Sequence, residues 1–356
     1  MAELRLTARP HHAPALDGLR GVAILCVILA HAGAPLFGGS LVMFTLSGFL
    51  ITARLLQEYD HAGGIDVMAF YVRRLRRLWP ALIVMLAVVN GIVLITQPSL
   101  ASRLMTEALY ALVGLGNWSQ LWITHTGLLI HLWSLAIEIQ FYALWPLVVI
   151  LLRGRGVLAV SLAIAILSWG IRGILLASQV PIGVVYMATY TRLDGLFIGC
   201  ALAAALSSSG HARLTQWAEQ YPALMTALQA AAVSVLAVCL LVYPLRQPLT
   251  YVVSLPLVAL CAVVLIAACV LPQRTGIARV LGHAGLGALG HISYGVYLWH
   301  WPVKLLAHDN GLLGAVGGVL LGALSWRWIE APLMKAKRTG DRATDGALRR
   351  VRWWVN

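Results

Sequence analysis

Leu19-Arg20-Gly21-Val22-Ala23-Ile24-Leu25-Cys26-Val27-Ile28-Leu29-Ala30-His31 (residues 19–31) places one cation and one imidazole at opposite ends of an unbroken apolar run. A helix needs about 20 apolar residues to cross hydrocarbon, and this run extends on both sides to a candidate span over 17–35. Comparable runs recur at 39–57, 79–96, 132–152, 157–177, 183–206, 223–243, 250–271, 290–307 and 312–330. Lipid offers backbone groups no partner, so spans are helices or a closed barrel. The runs are continuous rather than alternating, which excludes the barrel. Of 356 residues, 60% are hydrophobic and 11% charged, where a soluble domain keeps about a quarter charged. The fold class is all-α, a polytopic transmembrane helical bundle of about ten spans whose first partner is the lipid bilayer.

Leu19 to Ala30 also has the look of a signal-peptide core, with Ala32-Gly33-Ala34 as a cleavage site. Many spans follow that would lose their first partner, so the segment reads as a retained helix. The segment at 104–123 differs. Its apolar core, Ala108 to Leu115, follows Glu107 and precedes Asn117, Ser119 and Gln120, which predicts an interfacial or re-entrant piece.

The net charge is +13, from 26 basic and 13 acidic residues. Its placement argues for topology and anionic headgroups rather than nucleic acid. Arg73, Arg74, Arg76 and Arg77 form one cluster, and Lys335, Lys337, Arg338, Arg342, Arg349, Arg350 and Arg352 another. Positive loops face the cytoplasm. With the first cluster inside and 104–123 not crossing, the loops holding Arg153, Arg155, Arg213, Arg274 and Arg279 are inside as well. Both termini are then cytoplasmic, with a membrane domain at 1–334 and a basic cytoplasmic tail at 335–356. The five cysteines all lie in or beside apolar runs and form no C-x-x-C pair, so neither a disulfide framework nor a metal site is expected.

Ionisable groups inside a membrane face a cavity, a bundle interior or a partner. At 1.5 Å per residue, His31 lies roughly 6 Å from the outer surface, Glu138 and His300 roughly 10 Å, and Ser47 and Asp194 roughly 12 to 16 Å. Five spans thus place polar groups in one outer-half layer. Arg20 lies eleven residues from His31, roughly 16 Å along the helix, near the inner mouth with Arg54 and the 73–77 cluster. A cationic mouth below a His/Glu chamber suits a phosphate-bearing donor whose reactive end reaches upward. Arg192 and Asp194, two apart on a helix, do not face each other and need partners elsewhere. Composition and spacing leave an enzyme and a proton-coupled transporter both open.

The same residues carry a family resemblance. Leu16-Asp17-Gly18-Leu19-Arg20-Gly21 followed by His31, and Phe44-Thr45-Leu46-Ser47-Gly48-Phe49-Leu50-Ile51, resemble the first two helix motifs of the acyltransferase-3 family of bacterial integral-membrane O-acyltransferases. Arg74 and Arg77, within Phe70 to Pro80, match its R-x-x-R. His131-Leu132-Trp133-Ser134-Leu135 with Glu138, Gln140, Phe141 and Tyr142 is similar to its W-S-L-x-x-E-x-Q-F-Y segment. Arg192-Leu193-Asp194-Gly195, Ile292 to Pro302 and Glu330-Ala331-Pro332 complete an ordered set from residue 16 to 332. One departure stands out: many members carry two consecutive acids where this chain has Glu138 and then Ile139.

The resemblance implies an acyl-CoA-dependent O-acyltransferase of the inner (cytoplasmic) membrane. Its co-substrate would be acyl-CoA, most often acetyl-CoA, with no tightly bound cofactor. Its acceptor would be a carbohydrate hydroxyl on a surface or exported polysaccharide or glycolipid. His31 is the expected general base or acyl carrier, and Glu138 the carboxylate orienting it. Arg20, Arg74 and Arg77 are expected to hold the CoA phosphates. Ser47, Arg192, Asp194, Tyr294, Tyr297 and His300 are expected to line the acceptor pocket or support it. Some relatives carry an extracytoplasmic hydrolase-like domain after the last span; none is read here, so transfer is expected to finish within the membrane domain. The alternatives are acylation of a small secondary metabolite such as a macrolide, and a transporter that forms no covalent bond.

Overall fold

The computed structural model describes residues 14–335, apart from 37, 124, 208–209, 243–246 and 272–274. The basic tail beyond residue 335 lies outside the described residues. Helices follow one another as α1 (Pro14–His31), α2 (Gly39–Ala62), α3 (Val67–Thr96), α4 (Pro98–Leu112), α5 (Gly116–Trp122), α6 (Trp133–Ala177), α7 (Ile182–Met187) and α8 (Leu193–Ala205). The series continues with α9 (Gly210–Gln220), α10 (Pro222–Val242), α11 (Leu255–Val270), α12 (Gly276–Leu281), α13 (Ala284–Leu306), α14 (Gly311–Ser325) and α15 (Ala331–Lys335). No strand occurs among the described residues.

Eight segments among them are long and apolar enough to cross a membrane, and they coincide with eight of the ten predicted spans. The other two depart for different reasons. The ninth, α13, has the length at 23 residues but carries His291, Ser293, Tyr294, Tyr297 and His300. It packs between α1 and α14, so a polar face inside the bundle is tolerated. The sixth, predicted as one run over 183–206, is interrupted. After α7 the chain takes a single tight turn, Thr189–Thr191, before α8 begins. Side chains satisfy the freed carbonyls: Thr191 Oγ1 donates to Val185 O and Ala188 O, Asn117 Nδ2 to Met187 O, and Arg172 Nη1 to Thr191 O. A broken helix at membrane depth needs this kind of repair.

The predicted fourth and fifth spans lie within one helical element, α6, whose two span-length stretches meet at Gly154. Gly154 takes φ +37°, a conformation that side chains resist and glycine accepts. The segment at 104–123 is two short helices, α4 and α5, neither of span length, as expected. Glu107, 3% exposed, ties them to the following turn by accepting from Gln120 Nε2 and from the Thr126 amide.

Small residues bring the helices together where lipid cannot drive them to associate. At Gly48 of α2 a Cβ would run into the Leu196 carbonyl of α8, and at Gly199 of α8 into the Thr45 carbonyl of α2. Gly290 of α13 meets the Asp17 carbonyl of α1 in the same way. These approaches hold α2 against α8 and α1 against α13.

Gly48→Val should therefore destabilise the bundle by about 1–3 kcal/mol, the usual effect of overpacking. Gly91→Ala, where a Cβ meets nothing, should not. Thermal unfolding in detergent checks the pair. The topology has its own test, in a chain whose five native cysteines are replaced. Ser178→Cys in intact cells should react with a membrane-impermeant maleimide. Ala62→Cys should react only after lysis.

Candidate active site

A cavity of about 840 Å³ runs between α1, α2, α3, α6 and α13, at the upper end of the size of small-molecule sites. Arg20, Arg74 and Arg77 line one end. Their helices explain the choice among neighbouring arginines. Residues three apart share a helix face, so Arg74 and Arg77 point inward together, whereas Arg76 is exposed. Arg73 is held by Glu58 at 3.2 Å. Arg20 Nη1 lies 3.3 Å from Asp17 Oδ1. The Arg74 guanidinium stands over the rings of Phe70 and Tyr142 at 5.6 and 5.7 Å, and its Nε is buried without a hydrogen-bond partner among the described residues.

Further along, Glu138 accepts from Ser47 Oγ and from Tyr142 OH, both at 2.9 Å. All three side chains line the cavity. The expected Glu138–His31 contact is not what these bonds form, because the carboxylate faces α2 and its own next turn. His31 pairs instead with His300: Nδ1 lies 2.8 Å from His300 Nε2, with the two rings stacked at 5.0 Å. Trp301 meets His31 edge-on at 4.7 Å. Its indole N–H donates to Gly127 O at 2.9 Å, and Lys304 lies over the ring at 4.8 Å.

Tyr294 and Tyr297 line the cavity, but their hydroxyls are committed to its wall. Tyr294 donates to Leu78 O at 2.8 Å, while Tyr297 donates to His131 O and lies 3.0 Å from Ser134 Oγ. His300, Arg192 and Asp194 lie outside the lining. Asp194 pairs with Arg172 at 2.7 Å. That fully buried arginine was visible inside an apolar run, and sequence reasoning passed over it. Arg192 is also 0% exposed, and its guanidinium makes no hydrogen bond among the described residues. Its guanidinium faces the rings of Phe44, Trp133 and Tyr186 at 6.0, 5.2 and 5.2 Å. Those three rings line the cavity and Arg192 stands behind them.

The arrangement is a channel with cations at one end, hydroxyls and a carboxylate midway, and imidazoles among aromatic rings at the other. His31 closes helix α1 and Arg20 lies eleven residues earlier on the same continuous helix. Among the described residues no three His, Cys, Asp or Glu side chains are placed to hold a metal ion.

Comparison with known proteins places this site in a family. The chain is 28% identical over 354 residues to the O-acetyltransferase OatA of Staphylococcus aureus, covering 92% of this chain and 58% of that protein. It is 30% identical over 362 residues to YrhL of Bacillus subtilis, provisionally named a peptidoglycan O-acetyltransferase, covering 92% of this chain and 56% of that protein. The chain thus spans somewhat over half the length of these relatives. No solved structure matches significantly. The family model described as "Acyltransferase domain" matches residues 14–325, nearly all of the membrane bundle and every residue that lines the cavity. The chain belongs to the acyltransferase-3 family of membrane acyltransferases.

Proposed function

We propose that this protein is an inner-membrane O-acetyltransferase that moves an acetyl group from acetyl-CoA to a hydroxyl of a cell-surface polysaccharide such as peptidoglycan. The observation that carries the reading is one cavity joining three arginines to a histidine through the membrane domain. Arg20, Arg74 and Arg77 bind the phosphates of CoA at the cytoplasmic mouth, where a guanidinium fork matches phosphate geometry. The thioester end then extends past Glu138 toward His31. The arginines and Glu138 offset one another's charge within the bundle, and Ser47 and Tyr142 hold the carboxylate in place.

At the far end the acceptor enters among Phe44, Trp133, Tyr186 and Trp301. Flat aromatic faces with few polar groups suit the C–H faces of sugar rings. A sugar hydroxyl is a weak nucleophile at neutral pH, so His31 takes its proton as the oxygen attacks the thioester carbonyl. The C–O bond forms, the C–S bond breaks, and the proton passes to the departing sulfur to give free CoA thiol. The names of the relatives, O-acetyltransferase and peptidoglycan O-acetyltransferase, support an acetyl donor and a cell-wall acceptor.

Proteoliposomes supplied with labelled acetyl-CoA and a peptidoglycan or polysaccharide acceptor should yield labelled ester. His31→Ala should lower turnover by about 10²–10⁴, the usual contribution of a general base. Arg74→Ala and Arg77→Ala should instead raise KM for acetyl-CoA by roughly tenfold or more, the value of a charge-assisted hydrogen bond. Full turnover by His31→Ala at matched expression, or transport without a labelled ester, contradicts the proposal.

A further inference from the structure

The His31–His300 contact fixes more than position. His300 Nδ1 lies 2.8 Å from the Tyr297 carbonyl and 3.1 Å from the Val296 carbonyl of its own helix. A carbonyl oxygen only accepts, so Nδ1 of His300 carries a proton. In a neutral imidazole the other nitrogen is then a lone-pair acceptor. A second proton on His300 would put a cation at a site 1% exposed, and among the described residues no carboxylate bonds to it or to its neighbours His31 and His131. His300 Nε2 therefore accepts, and the proton in the 2.8 Å contact comes from His31 Nδ1.

We infer that His300 is a positioning residue for His31: it holds the His31 proton on Nδ1 and leaves Nε2 as the free base facing the cavity. The arrangement is layered as this role requires, because His31 lines the cavity and His300 does not. The supports of His300 are rigid. Its ring is anchored to two carbonyls of α13, and its backbone is pressed by α14 at Gly318, where a Cβ would stand 2.6 Å from the His300 Cβ. His131 packs edge-on against its other side at 5.7 Å. A histidine here does what a carboxylate does in a hydrolytic triad, selecting tautomer and orientation, without placing a charge beside the base. The assignment of His300 also frees Glu138 from that task, in line with its bonds to Ser47 and Tyr142.

This role rests on the general-base reading of His31, and the test separates the two. Protein labelled with ¹⁵N-histidine distinguishes a protonated from an unprotonated ring nitrogen, and His31→Gln identifies the His31 signals. Wild type should show a protonated Nδ1 and an unprotonated Nε2 on His31. His300→Leu should shift His31 toward the Nε2-protonated form and lower kcat about 10–100-fold, the scale on which orienting partners act, with KM for acetyl-CoA unchanged. His300→Gln, whose amide oxygen can accept near the former Nε2, should restore the Nδ1-protonated form and much of kcat. An Nε2-protonated His31 in wild type, or an unchanged tautomer in His300→Leu, overturns the inference whatever the activity. If His300→Leu is not recovered folded, the wild-type tautomer and the His300→Gln protein still decide it. The expected tautomers in a protein that transfers no acetyl group would uphold His300 and defeat the proposed function instead.

Discussion

Lipid gives a polar group nothing to bond with, and that constraint organises this protein. Each polar side chain inside the bundle must find its partner in protein or face the cavity. Where partners exist they are specific: Arg172 with Asp194, Glu138 with Ser47 and Tyr142, His31 with His300. Glycine contacts at Gly48 and Gly199 bring α2 against α8, and that at Gly290 brings α13 against α1, the two helices that carry His300 and His31. The side chains left facing the cavity are arginines at one end and a histidine at the other, with aromatic rings around it.

That division gives the proposed reaction its direction. Under the proposed function, a phosphate-bearing donor is drawn to the arginines and a sugar to the aromatic end. The cavity that joins them is lined by Glu138 and His31. Helix α1 spans both ends, with Arg20 and His31 eleven residues apart, roughly 16 Å. In the proposed reaction the charge that would be costly in lipid serves to bind the donor. Arg192 shows the other solution: its guanidinium, with no hydrogen bond among the described residues, is sheltered by the faces of three rings, an arrangement that can stabilise a desolvated guanidinium by about 2 kcal/mol.

Much of this could be read from the sequence because it is periodic or local. Apolar runs predicted the helices, and Arg74 and Arg77 at a spacing of three share a helix face that lines the cavity. The pairing of side chains was less legible. His31 and His300 are 269 residues apart, and their meeting depends on the register of α1 against α13, which no local pattern encodes. Asp194 found its partner in Arg172 for the same reason. The break between α7 and α8 was hidden because apolar stretches on both sides outweigh its short polar run. The signal lay in Thr191 and the remote Asn117, which bond its carbonyls, and in Thr189, which bonds Asn117 and Gln140. Glu138 was assigned to His31 by analogy with triads, but the rotation of α6 turns it toward Ser47 and Tyr142.

The central claim is that one cavity brings an acetyl donor from the arginine end to His31. A cryo-EM structure with a non-hydrolysable acetyl-CoA analogue measures it directly. The account predicts the CoA phosphates on Arg74 and Arg77 and the acyl carbonyl in the outer half beside His31, with room for a hydroxyl between them. Nucleotide bound outside the cavity, or an acyl group lodged away from His31, would contradict it.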